Sequence, residues 1–188
     1  LWWVLNPLLL MLVYWFLVSV IFKRGGPDYP LFVLCGLIPF RAFGMSLSSS
    51  LSSISGRFNL ISHISFPRVF LPLSEVLANY AMLIIGFGVV IAVALFYSIP
   101  IRITLIYLLI PFIAQLLISC GLAMLISILG VYFRDLKNLI SLILRILLYV
   151  SPVLYSVERI PQDFVDIYYV MNPLAPLLTN YRRIIMYN

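Results

Sequence analysis

The amino-acid sequence predicts an all-α integral membrane protein, a bundle of helices that uses lipid as part of its solvent. Composition carries the first argument. Of 188 residues, 64% are hydrophobic and 10% are charged, against roughly 45–50% and about 25% in soluble domains. Length carries the second. Before or between charges, the runs from Trp2 to Phe22, from Val76 to Ile99 and from Ile103 up to Arg134 each reach about 20 residues or more, which a helix needs to cross a hydrocarbon core of about 30 Å. The third is punctuation: polar or Pro/Gly-rich breaks separate the apolar runs.

Taken in order, these runs give five expected spans in a single domain over residues 1–188. The first, Trp2 to Phe22, lacks a basic leading region and a small-residue cleavage site, so it is a span and not a secretory signal. The polar connection Lys23 to Pro30 follows. Span two, about Leu31 to Ser55, is interrupted by Gly36, Pro39 and Gly44, contains Arg41, and ends in a serine-rich half. Such a helix cannot face lipid all round, because its hydroxyls and guanidinium need partners or water. Residues 56–75 form an amphipathic stretch, too polar to span. Spans three (about Val76 to Tyr97) and four (about Ile103 to Val131) are joined by a tight turn, which makes them antiparallel. Ser119, Ala123 and Ser127 recur every four residues in span four, the small-residue stripe that lets membrane helices approach closely. After the charged break Tyr132 to Lys137, span five runs to about Tyr155 with Arg145 near its middle. Ser156 to Asn188 mixes short apolar groups with acids and prolines and is expected to form interfacial or re-entrant helices.

The chemistry-bearing residues are few. The sequence has no phosphate-binding loop, zinc-protease motif, nucleophile elbow or paired intramembrane carboxylates, so an enzyme is not expected, and neither is a resident cofactor or metal. His63 is the only histidine, and Cys35 and Cys120 sit in apolar helices, where small packing residues are expected. The net charge of +6 comes from basic residues scattered singly or in pairs, which excludes a nucleic-acid surface and suits anionic headgroups or an anionic substrate. Arg41 and Arg145 each lie about 15 Å inside their spans by helical rise. A charge at that depth marks either the route of an anionic substrate or a structural pair with a carboxylate or helix carbonyls.

A family comes into view in four motifs. These are Ile64 to Leu73 after the interrupted second span, Tyr132-Phe133-Arg134-Asp135-Leu136, Ser151-Pro152-Val153-Leu154-Tyr155, and Asn172-Pro173-Leu174. In this order and spacing the chain resembles the permease subunits of type-2 ABC exporters, nearest to the branch that moves O-antigen, capsule or teichoic-acid chains. The resemblance implies six spans preceded by an amphipathic helix. The chain, beginning at Leu1 and ending at Asn188, is accordingly expected to be a fragment that lacks that helix and the last span.

It further implies a coupling helix docking on an ATP-binding subunit, carried here by Arg57, Leu60, Ile61, Ile64, Phe66, Pro67 and Arg68. Tyr132, Phe133, Arg134 and Asp135 become a gate or hinge contact, with a helix cap as the plainer alternative. Ser151 and Pro152 would bend span five, and Asn172 and Pro173 would place short gate helices on the outer side. The aromatics Tyr14, Trp15, Phe40 and Phe43 could stack on sugar rings along a pathway that includes Arg41 and Arg145, or serve as belt and packing residues. ATP and Mg would be bound by the partner, and the other expected partners are a second copy of the chain, membrane lipid and a lipid-linked glycan. This topology puts residues 56–72 on the cytoplasmic side of a bacterial plasma membrane. A count of Lys and Arg points the other way, with four on the connections 56–75 and 132–137 and six on 23–30, 98–102 and 156–188; the motifs are followed. A drug or lipid exporter of the same class, and a channel or scaffold without an ATPase, are the competing readings.

Overall fold

The structure is a computed structural model that describes residues 2–21, 26, 28–54, 56, 67–99, 103–133 and 135–187. Every regular element among the described residues is helical. Helix α1 (Trp2–Trp15) continues as a π-helix over Phe16–Ile21, and α2 covers Tyr29–Leu51. Next come α3 (Phe70–Phe96) and a 3-10 stretch Ile103–Leu108 that leads into α4 (Leu109–Tyr132). The chain then forms α5 (Leu136–Val150), α6 (Gln162–Met171) and α7 (Leu174–Met186).

Three of the five expected spans are single helices long and apolar enough to cross a membrane: Tyr29–Leu51, Phe70–Phe96 and Ile103–Tyr132. Span two starts two residues early because Pro30 stands in its first turn, where a missing N–H is harmless. Its helix ends at Leu51, short of the expected Ser55. Span three starts at Phe70 and not at Val76, for the same reason: Pro72 lies in the first turn, so the expected amphipathic stretch is shorter by one and a half turns. The first span is divided between α- and π-geometry. Span five was expected to reach Tyr155 but its helix ends at Val150, after 15 residues, which is about 22 Å of rise. Ser151 takes ψ 150, as the residue before a proline must when the ring excludes helical geometry.

Helix α2 is the axle of the bundle. In its most apolar stretch 72% of residues are buried, against 33% in α3 and 22% in the 103–132 helix, so the latter two turn most of their surface away from the rest of the chain. One side of α2, with Leu31, Leu34, Ile38 and Ala42, packs against Val76, Tyr80, Leu83 and Phe87 of α3 and Tyr181 of α7. Its other side, with Val33, Leu37, Phe40, Phe43 and Leu47, meets Val153 and the α7 residues Leu174, Leu177 and Leu178.

The expected small-residue stripe is used within the chain: Ser119, Ala123 and Ser127 are all buried. Ser119 Oγ is 2.7 Å from Tyr80 Oη, and one turn away Gln115 Nε2 donates to the Pro39 carbonyl at 2.8 Å. At the end of α4, a Cβ on Gly130 would stand 2.5 Å from the Leu51 carbonyl oxygen. Only glycine lets the two backbones meet there.

Candidate functional site at the break in span five

Ending a helix at Ser151-Pro152 creates an accounting problem. The carbonyls of Val150, Pro152, Val153 and Leu154 lose their helical donors, and a carbonyl left unpaired in an apolar setting is costly. Each is satisfied from another element. Tyr168 Oη of α6 donates to Val150 O at 2.7 Å, and Tyr155 Oη donates to the same oxygen. Arg182 Nη2 of α7 donates to Pro152 O at 3.0 Å and Val153 O at 3.1 Å. Tyr29 Oη, at the first residue of α2, donates to Leu154 O at 3.1 Å. Ser151 O accepts from Val153 N at 2.7 Å. Side chains from α2, α6 and α7 therefore staple one five-residue break.

Asn172 completes the arrangement. It is buried, donates from Nδ2 to Ser151 Oγ at 2.9 Å, and accepts from Leu174 N through Oδ1 at 3.2 Å. The second bond is the Asx turn that starts α7, so one amide fixes both the start of that helix and its attachment to the break. The two motifs expected to bend span five and place the gate helices, Ser151-Pro152 and Asn172-Pro173, are thus one structural unit. Burial and the adjoining Tyr155 hydroxyl hold the Tyr168 phenol above its ordinary range, which keeps it a neutral donor.

Arg182 was not singled out by sequence. It is 4% exposed, donates from Nε and Nη2 to Phe32 O at 3.3 and 3.2 Å, and places its guanidinium carbon 3.3 Å from the centre of the Phe32 ring. Gly36 makes the room, since a Cβ there would meet Nη2 at 3.1 Å and the Val153 Cα at 3.2 Å. A signal existed in α7, where the apolar positions Leu174, Leu178, Tyr181 and Ile185 recur at helical spacing and Arg182 falls on the same face while Arg183 does not.

The other expected site residues are distributed as follows. Arg57, Leu60, Ile61, Ile64 and Phe66 lie outside the described residues, as do His63 and Arg134; Pro67 and Arg68 form an exposed turn ahead of α3. Tyr132 and Phe133 are exposed at the end of α4. Asp135 occupies the N-cap position of α5 without a side-chain capping bond. Phe40 and Phe43 are 6% and 4% exposed in the core beside Val153 and α7. Their rings have no free face for a sugar within this chain, because Val153 and α7 pack over that side of α2. Tyr14 is half-buried and Trp15 exposed on α1.

Arg41 and Arg145 come to one level. Two glycines set the register of α2 against α5: Gly36 meets Val153 and Gly44 meets Leu144, whose methyl carbons would lie 3.6 Å from a Cβ. The helices run antiparallel, and Arg41 and Arg145 fall within about one turn of each other in height. Arg145 is exposed and follows Lys137 and Ser141 at intervals of four; Arg41 is partly exposed and shares its face with the exposed Ser48 and Ser52. Two polar stripes therefore lie on neighbouring helices at corresponding depth.

A bundle of three helices long and apolar enough to cross a membrane, the most buried of them serving as its axle, with a stapled break leading into short helices, is the architecture of a multi-pass membrane protein. The chain belongs to the ABC-2 type transporter family, which it matches over residues 1–186, and is a multi-pass protein of the inner membrane. It is 33% identical over 188 residues to the O-antigen export system permease protein RfbA of Klebsiella pneumoniae, covering 99% of this chain and 72% of the relative. The protein of the same name in Myxococcus xanthus is 29% identical over 98% of this chain and 71% of its own length. The polysialic acid transport protein KpsM of Escherichia coli is 24% identical over 99% of this chain and 73% of its own length.

Proposed function

We propose that this chain is the transmembrane subunit of an ATP-driven exporter that moves lipid-linked polysaccharide across the plasma membrane, acting as a homodimer with an ATP-binding subunit. The observation that carries the reading is the similarity to O-antigen and polysialic acid export proteins over nearly the whole chain. ATP and Mg belong to the partner in this reading, because the sequence offers no phosphate-binding loop. Arg57, Leu60, Ile61, Ile64, Phe66, Pro67 and Arg68 form the docking segment, apolar residues filling a groove on the ATPase and the two arginines lying at its rim.

Physically, docking at the inner ends of α2 and α3 pulls on the bundle's axle. The break over residues 150–154, held by side chains from α2, α6 and α7, converts that pull into movement of the short outer helices. The level cationic residues Arg41 and Arg145 lie on polar stripes suited to an anionic cargo, and Tyr14 of α1 packs against the cluster that holds Phe40 and Phe43. Tyr132, Phe133, Arg134 and Asp135 act as the inner hinge.

The test is co-purification of the full-length protein with its ATP-binding subunit, comparing wild type with Phe66 and Arg68 both replaced by Asp. Loss of the complex with the membrane subunit still folded supports the docking role. A complex of unchanged strength contradicts it.

A further inference from the structure

The geometry points to Arg182 as the residue that positions the outer gate in its sealed resting arrangement. This rests on the export reading above and adds to it a residue that lies outside the four motifs. Three observations carry it. Arg182 is buried at 4% exposure, and each partner the structure gives it is a carbonyl or a ring: Phe32 of α2, and Pro152 and Val153 of the break. It therefore ties two separate elements, α2 and the break, to α7 with one side chain. Asn172 holds the other end of α7 to Ser151, so the helix is pinned at two points about 15 Å apart along its axis.

The choice of arginine is informative. A static joint between these helices is better made by an apolar residue, because a buried guanidinium without a carboxylate is stabilised only as far as its acceptors allow. Two of its acceptors, the Pro152 and Val153 carbonyls, are available because the chain is broken at Pro152, whereas the Phe32 carbonyl lies in α2. Swivelling residues 150–154 would move the Pro152 and Val153 carbonyls together away from Nη2, while the bonds to Phe32 keep Arg182 on α2. The bonds to the break are thus made together or lost together, which suits a reversible fastening of α7 to the break.

The experiment uses the full-length subunit with its ATP-binding partner in sealed proteoliposomes loaded with carboxyfluorescein, without nucleotide. Dye leakage per intact complex is compared for wild type, Arg182→Lys, Arg182→Met and Phe32→Leu. Arg182→Met is expected to leak at least about tenfold faster than wild type, with Arg182→Lys between them. Phe32→Leu keeps all three carbonyl acceptors, removes only the ring, and is expected to leak about threefold faster; it keeps the test open where Arg182→Met fails to fold. Intact complexes of these variants as tight as wild type overturn the assignment, including the case in which only their melting temperature falls. ATP-driven glycan uptake by wild type, measured in parallel, tests the export reading separately: its absence removes that reading, whereas tight variants remove only the role of Arg182.

Discussion

Replacing Gly130 by Ala sets two effects of opposite sign against each other. In a helix interior the change normally stabilises by about 0.8–1 kcal/mol, because glycine loses more backbone freedom on folding. At this position the new methyl would stand 2.5 Å from the Leu51 carbonyl oxygen and 2.8 Å from Leu51 Cδ1. The leucine methyl can rotate away, but the oxygen belongs to backbone at the end of α2. That end is itself held, with Ser50 Oγ donating to Pro72 O at 3.4 Å and Ser53 N to Ser50 O at 3.1 Å. Forcing packed backbones apart costs about 1–3 kcal/mol, so the net result is a loss of up to about 2 kcal/mol. Gly121, in the same helix, and Gly88 meet nothing within 4 Å, and their alanine variants are expected to be neutral or stabilised by up to about 1 kcal/mol. Unfolding free energies in bicelles would report the difference. Gly130→Ala as stable as Gly121→Ala would refute the crossing of α4 over the end of α2.

Further outcomes follow from the site. Asn172→Ala and Ser151→Ala should show a coupling energy of about 0.5–1.5 kcal/mol in a double-mutant cycle of stability; additive effects would dissolve the pairing of the two motifs. Phe40→Ala should cost about 3–5 kcal/mol of stability as a core truncation, and a variant of unchanged stability but altered export would return Phe40 to the pathway. Arg41→Gln and Arg145→Gln should each lower the export rate by tenfold or more while leaving the folded yield unchanged; full export from both variants would show the pair to be structural.

How far the sequence could be read depended on the range of the interaction. The spans were legible because lipid demands a long uncharged run, and the break at Ser151-Pro152 was legible because proline acts on its immediate neighbour. Boundaries shifted where a proline fell in a first turn, as at Pro30 and Pro72, since the ring is tolerated there and does not stop the helix. The stripe Ser119, Ala123 and Ser127 announced close packing but not against what; burial against the chain's own helices required the fold. Arg182 was missed because its partners are carbonyls at residues 32, 152 and 153, and carbonyls carry no sequence signature. Phe40 and Phe43 were open to a channel role because an aromatic on an interrupted span looks the same whether another helix covers it or not.

The most direct test of the account is uptake of radiolabelled lipid-linked O-antigen glycan into proteoliposomes that contain the full-length subunit and its ATP-binding partner. The account predicts glycan accumulation that requires ATP and is lost with the Phe66→Asp, Arg68→Asp double variant. Uptake indifferent to ATP, or ATP-driven transport of a small lipid with the glycan excluded, would contradict it.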